Sequence, residues 1–212
     1  MPYYLHHHFD PAFDHTRLRP KELSGGRVDH YELSYVQNVV TEQVIAEFRE
    51  VSSEEARGYD ETLIYPQPLF PAGDNTKVLP DNPLQLLAAC NGYVYYADGR
   101  VQVKNLLNVR SDVDFHTGNI VFVGDLVLHH NVRSGFHVHG RNIRIAELVE
   151  GADVQANGSL LVEGGIKGQK YGVIRAGGNM RSPFCENATL QVGGTLRLDG
   201  SCMHSDLFVG KD

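Results

Sequence analysis

The 212-residue chain contains no tryptophan and only three cysteines, Cys90, Cys185 and Cys202. An odd number of cysteines without a CxxC pair excludes the disulfide framework that supports small secreted domains. A chain of this length also buries enough core to fold without cross-links. The cysteine content therefore indicates a reducing compartment, and we expect a cytoplasmic protein in which Cys185 and Cys202 are small buried residues.

The sequence also lacks a long hydrophobic run and an excess of positive charge. No segment approaches the ~18 consecutive apolar residues of a membrane span, and the N-terminus has neither the basic nor the apolar region of a signal peptide. The 19 basic and 26 acidic residues give a net charge of −7. This charge argues against broad binding to nucleic acid. We therefore expect neither membrane insertion nor a nucleic-acid partner.

Catalytic motifs are absent as well. The sequence has no GxSxG elbow, Walker phosphate loop, Rossmann fingerprint or HExxH pair, which favours a protein that is not an enzyme and carries no cofactor. Five histidines lie close together in the chain, without a cysteine or carboxylate at metal-ligand spacing: His116, His129, His130, His137 and His139. We expect them to be solvated at coil edges and predict no metal site. His6, His7 and His8 are interpreted as part of a mobile terminus.

Proline and glycine divide the chain after Cys90. Residues 1–90 hold 8 of the 9 prolines and 4 of the 22 glycines, and they carry all of the net negative charge. The composition predicts an acidic, proline-containing, β-rich domain over 1–90 and a glycine-rich domain over 91–212. The segment PDNPLQLLAAC in the first part fits either a short helix starting after Asn82 or a buried extended segment.

Six glycines recur in the second part at intervals of 16 to 22 residues: Gly118, Gly140, Gly158, Gly178, Gly194 and Gly210. A period of this length is typical of a solenoid. Apolar residues occupy alternate positions before and after most of these glycines, as Phe136 and Val138 do before Gly140, and this is strand periodicity. We predict that each glycine forms a corner between short strands, because a corner favours positive φ and the next coil approaches closely.

Two kinds of solenoid fit this pattern. Aliphatic residues at six-residue steps, such as Leu148, Val154, Leu160 and Ile166, would suit a left-handed hexapeptide helix. That reading implies an acyltransferase-like enzyme, with a histidine as general base and an acyl-CoA donor between subunits. A second run beginning at Ile120 is out of phase with the first, and the glycine intervals depart from a constant eighteen. We therefore favour an irregular, right-handed, single-stranded parallel β-helix.

Particular motifs resemble a known family. The runs DVDFHTGNIVFVGDLVLHHNVRSGFHVHGRNIRI, VEGADVQANGSLLVEGGIKGQKYGVIRAGGNM and CMHSDLFVG are similar to the β-solenoid core of the flagellar assembly protein A (FapA) family, and the likeness extends over about residues 28–212. The resemblance implies an all-β protein, a right-handed parallel β-helix preceded by a small β-rich domain. It also implies a non-enzymatic role in flagellar assembly or cell polarity through protein contacts. Longer members continue beyond the point where this chain ends, so it is a short member or a fragment.

Two surfaces of such a solenoid are candidates for binding a protein partner. The outward position after the first aliphatic residue of each coil is predicted to form one column: Val121, Arg144, Leu161, Arg181 and Arg197. Three arginines in register would bind an acidic partner, including the acidic N-terminal part of this chain, although separately solvated arginines would give the same pattern. The C-terminal end of the stack would expose an unpaired strand edge. We expect this edge to bind another protein or a second copy, giving a homo-oligomer.

Overall fold

A computed structural model describes residues 1–15, 17–18, 21–22, 28–29 and 31–211. The chain is nearly all β, with 53% strand and 4% helix, and it divides into two compact units. The first comprises Met1–Phe13 and Gln37–Asn105, and the second comprises Asp14–Val36 and Leu106–Asp212. Within the described ranges, no helix has the length and hydropathy needed to span a membrane.

Among the residues that the structure describes, ten strands precede Leu106. In chain order they are β1 (Tyr3–His7), β2 (Lys21–Glu22), β3 (Val28–Asp29), β4 (Asn38–Val39), β5 (Val44–Glu50), β6 (Ile64–Tyr65), β7 (Thr76–Leu79), β8 (Asn82–Ala88), β9 (Gly92–Ala97) and β10 (Arg100–Lys104). Two short 3-10 helices, Glu55–Gly58 and Glu61–Leu63, lie between β5 and β6. The first unit contains an antiparallel sheet of order β6-β1-β5-β8-β7 and a smaller one of order β10-β9-β4. In the second unit, β2 and β3 pair with each other.

The unit boundary differs from the predicted one. Composition changes after Cys90, but the hairpin of β9 and β10 pairs antiparallel with β4 and so belongs to the first unit. The PDNPLQLLAAC segment is extended rather than helical, because β8 pairs with β5 and β7 and buries Leu86 and Ala88. Pairing with distant strands outweighs the local N-terminal helix signal.

Thirteen strands follow in the second unit. They are β11 (Leu106–Val109), β12 (Ile120–Val121), β13 (Asp125–Leu128), β14 (His137–Gly140), β15 (Ile143–Ile145), β16 (Leu148–Glu150), β17 (Asp153–Ala156), β18 (Leu160–Val162), β19 (Gly165–Ala176), β20 (Met180–Ser182), β21 (Cys185–Leu198), β22 (Cys202–Met203) and β23 (Asp206–Lys211). Each pairs in parallel with the strand above or below it, so that parallel coils stack into a β-solenoid of about six turns. The predicted fold class is confirmed.

Each coil has three faces, and the register pairs define an inward column on each. One face stacks Leu107, Leu126, Ile143, Leu160, Met180 and Leu196. The second stacks Ile120, Val138, Val154, Ile174, Leu190 and Leu207. The third stacks Val113, Val132, Val149, Ile166, Cys185 and Cys202. Except near the last coil these side chains are buried, and burying one such aliphatic side chain stabilises the fold by about 1.5–3 kcal/mol.

The three faces explain the six-residue steps in the sequence. Ile120, Leu126, Val132 and Val138 follow each other at six-residue intervals because they occupy the second, first, third and again the second face. The coils are not of constant length, however. Leu126 pairs with Ile143, seventeen residues later, whereas Leu160 pairs with Met180, twenty residues later. The structure therefore does not support the regular hexapeptide alternative.

The six glycine anchors occupy different local environments. Gly118, Gly158 and Gly178 lie between strands, Gly140 ends β14, and Gly194 and Gly210 lie inside β21 and β23. Of the six, Gly118 alone has positive φ, at 70°, and a Cβ there would lie 2.8 Å from the Tyr31 carbonyl oxygen. The positive-φ corners of later coils lie elsewhere, for example at Asn187 and His204. At four of the six, Gly158, Gly178, Gly194 and Gly210, an added Cβ would meet the preceding coil, so close approach rather than positive φ is the requirement there.

Strand β1 contains His6 and His7, and the His8 amide that follows it donates to the Ile45 carbonyl oxygen, so the prediction of a mobile terminus there is wrong. Tyr3–His7 pairs antiparallel with β5, and Tyr3 and Tyr4 also pair with β6. The His7 ring packs against Phe9 and Tyr96, at centroid distances of 5.1 and 5.9 Å. Among the described residues, its Nε2 atom is buried without a hydrogen-bond partner. Burial lowers the pKa of His7, and the nearby His6 lowers it further.

The first prediction concerns the glycine at a coil-to-coil contact. A Cβ added to Gly193 would overlap the Gly177 carbonyl oxygen of the preceding coil, so the backbone would have to shift. We expect Gly193→Ala to lower the free energy of unfolding by about 1–3 kcal/mol. Gly58→Ala is the control, because a Cβ there meets nothing within 4 Å. Urea unfolding followed by circular dichroism measures both, and equal stability of the two variants would contradict the close-approach argument.

The second prediction concerns His7 and pH. The unfolded chain binds a proton at this imidazole more readily than the folded chain, because the folded-state pKa lies below the ordinary value of 6.5. The free energy of unfolding should therefore fall as the pH decreases below about 6.5 and level off below the folded-state pKa. His7→Phe should remove this part of the pH dependence. His116→Gln, at a side chain that is 94% exposed, should leave it unchanged.

An NMR titration of the His7 ring proton measures the same pKa directly. A His7 pKa at or above the ordinary value of 6.5 would contradict the conclusion that burial lowers it in the folded chain. So would an unchanged pH dependence of unfolding in His7→Phe.

Candidate binding face and open end

The arginine column lies on the first face of the solenoid. Consecutive register pairs place Val127 beside Arg144, Arg144 beside Leu161, Leu161 beside Arg181, and Arg181 beside Arg197. We call this column the arginine face. The structure thus brings together the three arginines identified in the sequence. The prediction that Val121 belongs to this column is wrong, because Val121 pairs with His139 on the second face. Val127 occupies the position beside Arg144 instead.

Carboxylates that the column pattern does not predict pair with these arginines. Arg144 donates from Nε and Nη2 to Glu163, both at 3.1 Å. Arg181 and Arg197 each donate from Nε to a different oxygen of Asp199, at 2.9 and 2.8 Å. These bonds, with that from Arg181 the larger influence, lower the pKa of Asp199. Their spacing in the sequence could have indicated these carboxylates, since Glu163 and Asp199 each lie two positions after a residue of the column.

These ion pairs orient the guanidinium groups without cancelling their charge. Three arginines face two carboxylates, so the set keeps a positive excess. The arginine side chains remain 51, 55 and 68% exposed, and pairs this exposed contribute less than about 1 kcal/mol to stability. In the described part of the chain, the Nη groups of Arg181 and Arg197 make no further hydrogen bond. They are therefore available as donors to a carboxylate partner.

A shallow groove follows the arginine face. Its volume is 570 Å³, and its floor includes the half-buried side chains of Val127 and Leu161. The polar rim includes asparagines at the corner before each strand. Asn142 accepts a hydrogen bond from the Ser159 amide at 2.9 Å, and Asn179 accepts one from the Thr195 amide at 3.0 Å. These bonds tie each corner to the next coil, so the groove is part of a fixed scaffold.

The last coil exposes apolar side chains that earlier coils bury. In the second face, Leu190 is fully buried, whereas Leu207, its register partner in β23, is 43% exposed. Phe208 and Val209 in the same strand are also exposed, at 61 and 41%. Strand β23 pairs with β21 on one side. We call Met203, Leu207, Phe208 and Val209 the open end.

The five central histidines occupy separate positions and do not converge on one point. His116 contacts Asp114, and His129 contacts Asn108. His137 Nδ1 lies 3.4 Å from an Asp153 carboxylate oxygen, and His139 contacts Asn157. These contacts join neighbouring coils or lie within one loop. No shared pocket in the described residues brings the five rings together as a catalytic or metal-binding group.

His130 belongs to a separate charged cluster. Ligand atoms of Asp112, His130 and Glu147 lie within 4.8 Å of one another. The Asp112 carboxylate already accepts bonds from Asn131 and Arg133. Partial burial raises the pKa of Asp112, but these bonds outweigh burial and bring it below its ordinary value. The arrangement is therefore satisfied as a hydrogen-bond network between coils, and the prediction of no metal site stays a prediction.

Residues 31–36 cover the first corner of the solenoid. The Tyr31 ring packs against Phe115 and Phe136 at 5.4 and 5.0 Å, and its carbonyl oxygen accepts a 2.6 Å hydrogen bond from the Asn119 amide. Leu33 is buried. The first coil is therefore covered by residues from its own unit, in contrast to the exposed last coil.

The family model described as Flagellar Assembly Protein A beta solenoid domain matches residues 105–212. This range includes every strand from β11 to β23. No curated protein and no solved structure matches the chain.

Proposed function

The chain belongs to the Flagellar Assembly Protein A family, and on that premise we propose that it is a cytoplasmic, non-enzymatic scaffold acting through protein contacts in flagellar assembly or cell polarity. The observation that carries this proposal is the arginine face. It combines oriented guanidinium groups, an apolar floor and a fixed parallel sheet. Such a surface suits binding by shape and charge rather than a chemical reaction.

The partner of the arginine face is an extended, acidic protein segment. Carboxylates would accept bonds from the Nη groups of Arg181 and Arg197, while apolar side chains would lie over Val127 and Leu161. The N-terminal 90 residues of a second copy are one such source of negative charge, since they contain 14 acidic and 7 basic residues. The pairing with Glu163 and Asp199 holds the arginines in place before binding, which reduces the entropy lost on association.

Self-association is proposed through the open end. Its exposed Leu207, Phe208 and Val209 lie on an edge strand, and edge strands are templates for pairing with another chain. A second copy is the occupant that best matches this surface, because it presents the same edge strand and the same exposed apolar side chains. The scaffold would then be a homo-oligomer that presents several arginine faces.

The third prediction concerns the open end. Phe208→Glu should weaken self-association at least tenfold, because it places a charge on the apolar edge. Val121→Glu is a matched control. It introduces the same charged residue in place of another exposed apolar side chain, 51% exposed and in the same outward column several coils away. Sedimentation velocity over a concentration series measures both. A parent chain that stays monomeric well above micromolar concentration, or equal association of both variants, would refute assembly through this end.

The fourth prediction concerns the arginine face. A labelled poly-glutamate peptide should bind the parent chain at low salt and bind about tenfold more weakly to the double variant Arg181→Gln, Arg197→Gln, a loss of about 1.4 kcal/mol. The control Arg110→Gln, Arg175→Gln removes the same charge elsewhere on the second unit. Fluorescence anisotropy with and without added salt provides the measurement. Equal weakening in both double variants would indicate non-specific attraction and contradict the assigned face.

A further inference from the structure

Cys185 and Cys202 are direct neighbours across the last two coils. Cys185 begins β21, Cys202 begins β22, and the two residues are register partners in parallel strands. Neighbouring strands lie about 4.8 Å apart. This spacing falls inside the range of about 4.4–6.8 Å between Cα atoms that a disulfide can join. Register partners also point to the same side of a sheet, so both thiols belong to the third inward column.

The two thiols have unequal environments. Cys185 is 1% exposed, whereas Cys202 is exposed, so the prediction that both cysteines are buried is wrong for Cys202. Burial raises the pKa of Cys185, and interaction with the Cys202 thiol adds to the increase. The exposed Cys202 is therefore the thiol that reagents in solvent reach first, and Cys185 is the adjacent thiol that can react with the oxidised Cys202.

Ser205 orients the buried thiol. The Cys185 Sγ–H group donates to Ser205 Oγ at 3.4 Å. That hydroxyl in turn donates to the Met203 carbonyl oxygen at 2.9 Å and accepts from the Ala188 amide at 3.2 Å. These bonds link the loop after Cys202 to the strand that contains Cys185. The last coil is thereby held with the two cysteines side by side.

We propose that Cys185 and Cys202 form a reversible redox pair, in which a peroxide converts the two thiols into a disulfide between the last two coils. The redox pair does not rest on the proposed scaffold function, although its disulfide would lie next to the open end. Disulfides in reducing compartments are mostly transient and redox-sensing, and a partly exposed one can be reduced again by thiol exchange.

The reaction balances with hydrogen peroxide as the oxidant. The Cys202 thiolate attacks one peroxide oxygen and the O–O bond breaks, which gives a sulfenic acid and, after protonation, water. The Cys185 sulfur then attacks the Cys202 sulfur as the S–O bond breaks. The Cys185 proton and the departing hydroxide form a second water. In total, two thiols lose two electrons and two protons, and one peroxide molecule becomes two molecules of water.

The disulfide would stabilise the end of the solenoid. Strand β22 consists of two residues, and it is joined to β21 by the pairs Cys185–Cys202 and Glu186–Met203. A covalent bond at the first of these pairs keeps the last coil in register when hydrogen bonds open at the exposed edge. Oxidation is therefore expected to order the open end, and reduction is expected to loosen it.

The fifth prediction tests the pair in the full chain carrying Cys90→Ala, which removes the third thiol. Peroxide treatment should produce a peptide joining Cys185 to Cys202, with the mass loss of two hydrogen atoms, in chains that remain uncross-linked to each other. The melting temperature should rise by several degrees and return to its starting value when dithiothreitol is added. Mass spectrometry of non-reduced peptides and circular dichroism provide the two readouts.

Two variants serve as controls. Cys202→Ser changes an exposed side chain and should fold normally, but it should lose both the cross-linked peptide and the rise in melting temperature. Cys185→Ala should accumulate oxidised Cys202 without the intramolecular link. The proposal is overturned if peroxide oxidises Cys202 to a sulfinic acid while Cys185 remains a thiol. It is equally overturned if the main product joins Cys202 residues of two chains.

Discussion

Hydrogen bonding between stacked parallel coils is the constraint on which the rest of this structure depends. A single coil cannot bury its own apolar residues or satisfy its own backbone, so each depends on the coils above and below. The register pairs show how this is achieved, since Ile143 pairs with both Leu126 and Leu160, and Ile174 with both Val154 and Leu190. Inward residues therefore form continuous columns. Glycines occur where a coil approaches its neighbour too closely for a Cβ, as at Gly193.

The same stacking organises the outer surface. Residues that are sixteen to twenty positions apart in the chain become neighbours at strand spacing, which brings Arg181 beside Arg197 and lets both share Asp199. Asparagines at the corners form similar contacts from one coil to the next. The scaffold proposal follows from this regularity, because a rigid array of oriented donors and apolar patches is suited to recognising another protein.

In the described part of the chain, the coil that contains Cys202 and Leu207 pairs with a neighbouring coil on one side only. Leu207 and Cys202 occupy inward columns, yet both are exposed. The proposed assembly edge and the proposed redox pair both arise from this position. One concerns apolar area that a second copy can cover, and the other concerns a thiol that reagents can reach while its partner stays buried. The two are chemically separate and involve different side chains.

The sequence by itself determined the class of fold and most of the solenoid core. Alternation around the repeated glycines predicts the buried positions correctly, from Ile120 and Phe122 to Leu190 and Val192, because alternation in a strand is a local property. The tertiary structure decided what depends on contacts between distant residues. It placed Val127 instead of Val121 in the arginine column, and it paired the arginines with Glu163 and Asp199. It also placed His6 and His7 in strand β1, and Asn82–Ala88 of the PDNPLQLLAAC segment in strand β8. Packing sets the register across coils of unequal length and the pairing with remote strands, so a local sequence pattern predicts neither.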